Sequence, residues 1–360
     1  MSRSLLLVAS LALPACGFSV AASGSGGGDD IDSGPTTCTH ANWRDPAWGS
    51  RYPLAVQRTR VTGAPGTIAV LVALTSGELV HARADGEDLV FTAGDGTSPL
   101  PYEIEQFDQT TGKLLAWVTL STLAAAADTP FYLYFEYPDA PGPTLMDAWP
   151  DHLAVWHLRE DPGDALGLAL DSTVRANHLT VQNMTSADRA QGKIGFGFRF
   201  DGIDNGLART AFTLPSMFTF EAWIRPSQLS GYRTVIDFMS GNRWLGLNSD
   251  SLAFYTGIER IYPAAITANA WHHIAATFNG SQLRIYYDGA PLGTPASVIL
   301  GAVTSTLLIG YSGIGERFIG RIDEVRIQPM ARSADAIATD YANQSAPELF
   351  VIPGPIEHCR

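Results

Sequence analysis

An all-β chain built from two sandwich domains is the fold that three features of the sequence predict. Short apolar runs of period two recur along the chain, clusters of Gly, Pro, Asn and Asp separate them, and helical periodicity is scarce. The segment WHHIAATFNGSQLRIYYDG, Trp271 to Gly289, shows the pattern in miniature. Ile274, Ala276 and Phe278 alternate with Ala275 and Thr277, and Leu283, Ile285 and Tyr287 alternate with Arg284 and Tyr286. Asn279-Gly280 between the runs accepts the positive φ of a tight reversal, which makes a β-hairpin. Neighbouring strand residues point to opposite faces, so His272 and His273 are not expected to share a metal; one faces the core and the other faces out.

The 360 residues suffice for two domains, and 46% hydrophobic with 16% charged residues is the balance of a folded protein. The formal charge of -13 opposes a phosphate backbone, and the sequence holds no run of Lys and Arg that could override it, which excludes nucleic acid as a partner.

At the N-terminus, Arg3 precedes an apolar run from Leu5 to Leu13, too short to span a bilayer but suited to a secretory signal. Leu13-Pro14-Ala15-Cys16 resembles a bacterial lipobox, with Cys16 as the lipidated mature N-terminus; plain cleavage, for instance after Ala22, is the alternative. Gly17 after the cysteine resembles an outer-membrane lipoprotein. The chain is therefore expected to be exported and to meet a membrane only through an N-terminal lipid, with a periplasmic or secreted form as the alternative. Residues 1–16 are read as signal peptide and 17–42, rich in Gly, Ser and Asp, as a flexible tether. If Cys16 is lipidated, Cys38 and Cys359 remain as an even pair in an oxidising compartment, and they are expected either to form a disulfide, to pair between molecules or to stay free.

Residues 43–138 carry the first sandwich, through TIAVLVAL, DLVFTA, KLLAWVTL and PFYLYFEY with turns between them. Trp48, Arg51, Asp88 to Phe91, Leu100 to Glu105, Ala116 to Val118 and Tyr132 to Tyr134 make this segment resemble the bacterial domain of unknown function 2341. That resemblance implies no activity. Glu103 and Glu105 lie two apart on one strand, and with no His, Lys or metal motif nearby in sequence they are expected on a solvated face.

A Pro-rich linker, 139–152, leads to a longer all-β segment, 153–345, followed by a tail, 346–360. Its landmarks are Ala154 to Leu158, Asp171 to Thr173, Gly195 to Gly202, Phe218 to Pro226, the hairpin above and Phe318 to Ile327. Together these resemble a laminin-G-like domain of the concanavalin A-like lectin/glucanase superfamily. The resemblance implies a jelly roll of two large antiparallel sheets, closed by a short helix over Ser333 to Tyr341. FTFEAWIRP agrees, with Phe218, Phe220, Ala222 and Ile224 on one face. In the next landmark strict alternation puts Asp323 on one face with Val325 and Ile327, where a carboxylate needs a partner.

Some members of the superfamily hold calcium on a late-strand aspartate, so the resemblance implies a calcium site at Asp323 with Asp171 and Asp201. The alternative is that Asp171 and Asp201 organise turns and that Asp323 pairs with Arg321 or caps a loop. Sugar recognition needs aromatic faces beside polar groups, and Arg243, Trp244, Asn248, Tyr255 and Tyr262 interleave accordingly, although Trp244 and Tyr255 also fit a core role. Trp156, Trp223 and Trp271 read as packing. Glucanases of the superfamily carry E-x-D-x-x-E, which is missing, and no other catalytic motif occurs. The expectation is a non-enzymatic surface lipoprotein that recognises a glycan or a cell-surface protein. A structural module of an envelope assembly and a glycan-active hydrolase are the alternatives.

Overall fold

The structure is a computed structural model that describes residues 38, 40–123, 125–142, 146–239 and 242–359. Cys16, the signal peptide and nearly all of the tether lie outside them. Among the described residues twenty-four strands form four sheets, and their strand pairs are antiparallel. Sheet I runs Val351–Pro353, Ser50–Val56, Thr129–Phe135, Val90–Ala93, with Glu357–His358 also paired to Ser50–Val56. Sheet II runs Gly66–Thr75, Lys113–Leu123, Tyr102–Asp108. Sheets III and IV have eight strands each and make the C-terminal jelly roll. In sheet III, Phe196–Asp201, Ile319–Gln328, Phe218–Pro226 and His272–Phe278 lie side by side; in sheet IV, Glu259–Pro263, Ser251–Tyr255, Arg243–Asn248 and Tyr232–Phe238 do.

The Lys113–Leu123 strand shows how the layers stack. Leu114, Ala116 and Val118 point into the core shared with sheet I, whereas Leu115 and Trp117 point the other way, into a small cluster with Trp149, Val155 and Ile194 against sheet III. Its near-continuous apolar sequence is thus that of a strand covered on both faces. Truncating the fully buried Trp117 would cost about 3–5 kcal/mol. Phe198, Phe220, Ile224, Ile322 and Val325 of sheet III meet Val235, Leu245, Leu247 and Phe254 of sheet IV in the largest core. The order of layers is I, II, III, IV.

The tail expected over 346–360 is built into sheet I. Ser333 caps the Ala334–Ser345 helix, its Oγ accepting from Ala336 N at 3.1 Å. The helix lies across the edges of sheets II and III. Asn343 exchanges two hydrogen bonds with the backbone of Leu71, and Gln344 Oε1 accepts from Trp223 Nε1 at 2.6 Å. The chain then returns to pair with Ser50–Val56, and a disulfide joins Cys38 to Cys359. No helix among the described residues is long and apolar enough to cross a membrane.

Glu103 and Glu105 do not face solvent: alternation turns both away from the core that Tyr102 and Ile104 enter, but that face is covered by sheet III, where both meet His157, and Glu105 is buried. Asp323 does not share a face with Val325 and Ile327. A bulge opposite Ala222, with Glu324 at φ 52°, breaks the alternation, so Asp323 stands outside the core while Val325 and Ile327 fill it. His272 and His273 do take opposite faces, but both are buried, because the helix covers the outer one; His273 packs against Trp223 and Tyr341.

Candidate functional site

A cleft of about 470 Å³ opens on the outer face of sheet IV. Its floor is one cross-strand row, Asp237, Trp244, Tyr255 and Glu259, each directly opposite the next on four adjacent strands. The local sequence sets the row. Leu245, Leu247 and Phe254 take the core face, and alternation sends Trp244 and Tyr255 outward. Gly246 then lets the indole lie flat, since a Cβ there would come within 2.6 Å of the Trp244 ring. Trp244 is nearly covered and donates from Nε1 to Thr234 Oγ1 at 2.7 Å; Tyr232 and Tyr255, 39% and 41% exposed, offer the open aromatic surface. Tyr232 donates to Glu259 Oε2 at 3.0 Å.

Asp237 and Glu316 face the same cleft. Burial pushes the pKa of Asp237 up, against one hydrogen bond from Gly313 N, and burial together with the Asp237 carboxylate pushes Glu316 up. The cleft therefore joins aromatic faces to acceptors and to carboxyls that hold their protons above the ordinary range.

Of the residues expected to bind ligand, Arg243, Trp244 and Tyr255 line the cleft. The Arg243 guanidinium also donates to the Gly301 carbonyl. Asn248 stands beside the cleft and donates to Glu259 Oε1 at 3.2 Å. Tyr262 is elsewhere: it pairs with Leu252 and turns into the core. Tyr232, Asp237 and Glu316 come from segments up to 84 residues apart, and only the lone acid in VIDF, a polar residue inside an apolar strand, could have signalled one of them.

The three aspartates expected to hold calcium do not converge. Asp171 accepts from Val155 N, Thr173 N, Thr173 Oγ1 and Asn177 N; Asp201 accepts from Ile203 N in its own turn; Asp323 accepts from Lys193 N and Ile194 N at 2.7 and 2.9 Å. Each is consumed in a different loop, because a short acidic side chain is well placed to bind nearby amides.

Among the described residues, one set of three metal-type side chains does gather, Glu105, His157 and Glu324, between sheets II and III. These groups largely partner one another and their neighbours, but Glu105 Oε1 is buried without a hydrogen bond. His157 Nδ1 lies 2.7 Å from Glu324 Oε1, Arg326 donates to Glu324 Oε2 at 2.6 Å, and Trp117 Nε1 donates to Glu105 Oε2 at 2.7 Å. Burial opposes charge on His157, but Glu324 and Glu103 outweigh it and raise its pKa well above the imidazole range. Burial and Glu324 push Glu105 up to about 7, while His157 and Arg159 overcome burial and hold Glu103 down to about 2. With Arg326 stacked over Trp117 at 4.2 Å, the arrangement is an ionic seam closed by aromatic rings.

Residues 201–338 match the concanavalin A-like lectin/glucanases superfamily. The lectin/glucanase match contains the whole cleft, and residues 85–144, ahead of it, match domain of unknown function 2341. No curated protein matches the chain in sequence. Among solved structures, domain 4 of AbnA, a GH43 extracellular arabinanase from Geobacillus stearothermophilus in complex with arabinotriose, is similar at 24% identity and TM-score 0.37, over 43% of this chain and 80% of that one. The binding domain of Paraclostridial Mosquitocidal Protein 1 is similar at 16% identity and TM-score 0.43, over 53% of this chain and 52% of that one. A SAP-like pentraxin from Limulus polyphemus is similar at 16% identity and TM-score 0.31, over 39% and 78%.

Proposed function

We propose that the protein is a non-enzymatic carbohydrate-binding protein of the cell surface, which takes a glycan in the sheet IV cleft and is anchored through Cys16. The row Asp237, Trp244, Tyr255, Glu259 carries the reading. Open tyrosines, Tyr232 and Tyr255, supported by Trp244 and flanked by carboxylates suit a sugar, whose apolar face stacks while its hydroxyls donate. The Cys38–Cys359 disulfide supports export, since such bonds persist in oxidising compartments. A glycan array probed with the mature chain tests it. Tyr255→Ala, at an exposed position, is expected to weaken the best ligand at least tenfold, about 1.4 kcal/mol, without lowering Tm. Unchanged binding would remove the cleft from the proposal. The reading uses no metal, so a chelator is expected to have no effect, and loss of binding on chelation would bring calcium back.

A second reading is hydrolysis, favoured by the raised pKa values of Asp237 and Glu316 in one cleft. Release of reducing ends from a bound oligosaccharide, abolished by Asp237→Asn with binding retained, would replace the binder with an enzyme.

A further inference from the structure

The fold assembles a row of three arginines that the sequence keeps apart. On the outer face of sheet III, Arg199 lies directly opposite Arg321, and Arg321 directly opposite Arg225, on three adjacent strands. Like charges in directly opposed positions destabilise a sheet. Acidic residues outnumber Lys and Arg by 36 to 23 in this chain, yet the row is poorly neutralised. Asp188 pairs with Arg199 at 2.8 Å, but among the described residues neither Arg225 nor Arg321 makes an ion pair. Arg225 Nε donates to Asn269 O at 2.9 Å and Arg321 Nη1 donates to Gln191 O at 3.1 Å, both neutral carbonyls that fix the stems. The arginines line a pocket of about 310 Å³ with Asp201, Ser227 and Asn269. The Asp201 carboxylate is taken up by its own turn, with Ile203 N at 2.8 Å.

We infer that this row is a binding site for an acidic oligosaccharide, one that carries sulfate or carboxylate groups. Guanidinium forks match both groups bidentately. Two strand spacings put the outer arginines about 10 Å apart, too far for one anion and suited to successive charged groups along a chain. Nucleic acid fits poorly, because a duplex presents charge along its whole length to a protein at -13, whereas a short acidic glycan engages the row locally. Ser227 and Asn269 at the rim supply partners for sugar hydroxyls. The site lies on the opposite outer face of the jelly roll from the carboxylate-lined cleft, so it does not depend on that cleft binding anything.

Titration calorimetry of the full chain against a heparin-derived hexasaccharide, a galacturonate hexasaccharide and inorganic sulfate tests this. At least one hexasaccharide is expected to bind, sulfate alone much more weakly, and affinity to fall as NaCl is raised. Arg225→Gln with Arg321→Gln is expected to weaken hexasaccharide binding at least tenfold and to flatten its salt dependence. Arg321→Gln alone is expected to leave Tm unchanged or higher, which separates loss of the site from loss of the fold. No binding by either hexasaccharide, equal binding by the double variant, or a loss produced by Tyr255→Ala instead would each overturn the inference. Sulfate bound as tightly as the hexasaccharides would reduce the row to an adventitious ion site and overturn it too.

Discussion

Glu105 sits where a charge is hardest to hold, beneath Trp117, against the Cα of Gly195 and 3.8 Å from the His157 ring nitrogen that Glu324 also engages. Its pKa rises from an ordinary 4.5 to about 7 on folding. A carboxyl whose folded pKa is raised favours folding in its neutral form, so its contribution is complete below about pH 4.5 and is lost as pH climbs through 7. The loss is bounded by about 3 kcal/mol. Glu103, held at about 2, acts in the opposite sense and destabilises the fold in strong acid. Glu105→Gln keeps the shape and removes the titration, so urea unfolding should show it equal to the parent at pH 5 and more stable at pH 8. A variant that is weaker at pH 8 would mean that the ionised form belongs to the seam. Nothing near Glu105 in sequence announces this role, because His157 and Glu324 are 52 and 219 positions away.

Period two made the strands themselves legible. The Asn279-Gly280 hairpin and the FTFEAWIRP face stand where local chemistry put them, and the helix that the family resemblance implies over Ser333 to Tyr341 runs from Ala334 to Ser345. What alternation misses is a single extra residue. The bulge at Glu324 reverses a face and leaves Asp323 and Glu324 on the inter-sandwich surface, where Glu105 lies by plain alternation and is buried only because a second sandwich covers that face. Trp244 and Tyr255 are legible as candidates because aromatic and polar residues interleave along this stretch, but the same pattern includes Tyr262, which the pleat turns into the core. Gly246 is the element-level requirement of the cleft. Gly246→Ala would press a methyl against the Trp244 ring and the Arg233 carbonyl, and is expected to cost about 1–3 kcal/mol. Indole fluorescence and Tm measured together check it; an unshifted emission with unchanged Tm would show that the ring does not need the glycine.

At the scale of the whole molecule, the last strands belong to the first sheet, and the chain is closed by a disulfide spanning 321 positions. A crosslink over so long a loop restricts the unfolded chain strongly, by up to about 5 kcal/mol. Cys38→Ser is therefore expected to lower stability in oxidising buffer to the level of the reduced parent, read by denaturant unfolding with and without dithiothreitol. Equal stability of the oxidised parent and the variant would show that the sheet I pairing alone holds the ends. The closure also decides what a protease can do. One cut in any loop between Cys38 and Cys359 leaves two segments still joined covalently, so a nicked molecule keeps the sheet IV cleft and the sheet III arginines attached to the same N-terminal stem, and only a second cut can shed them.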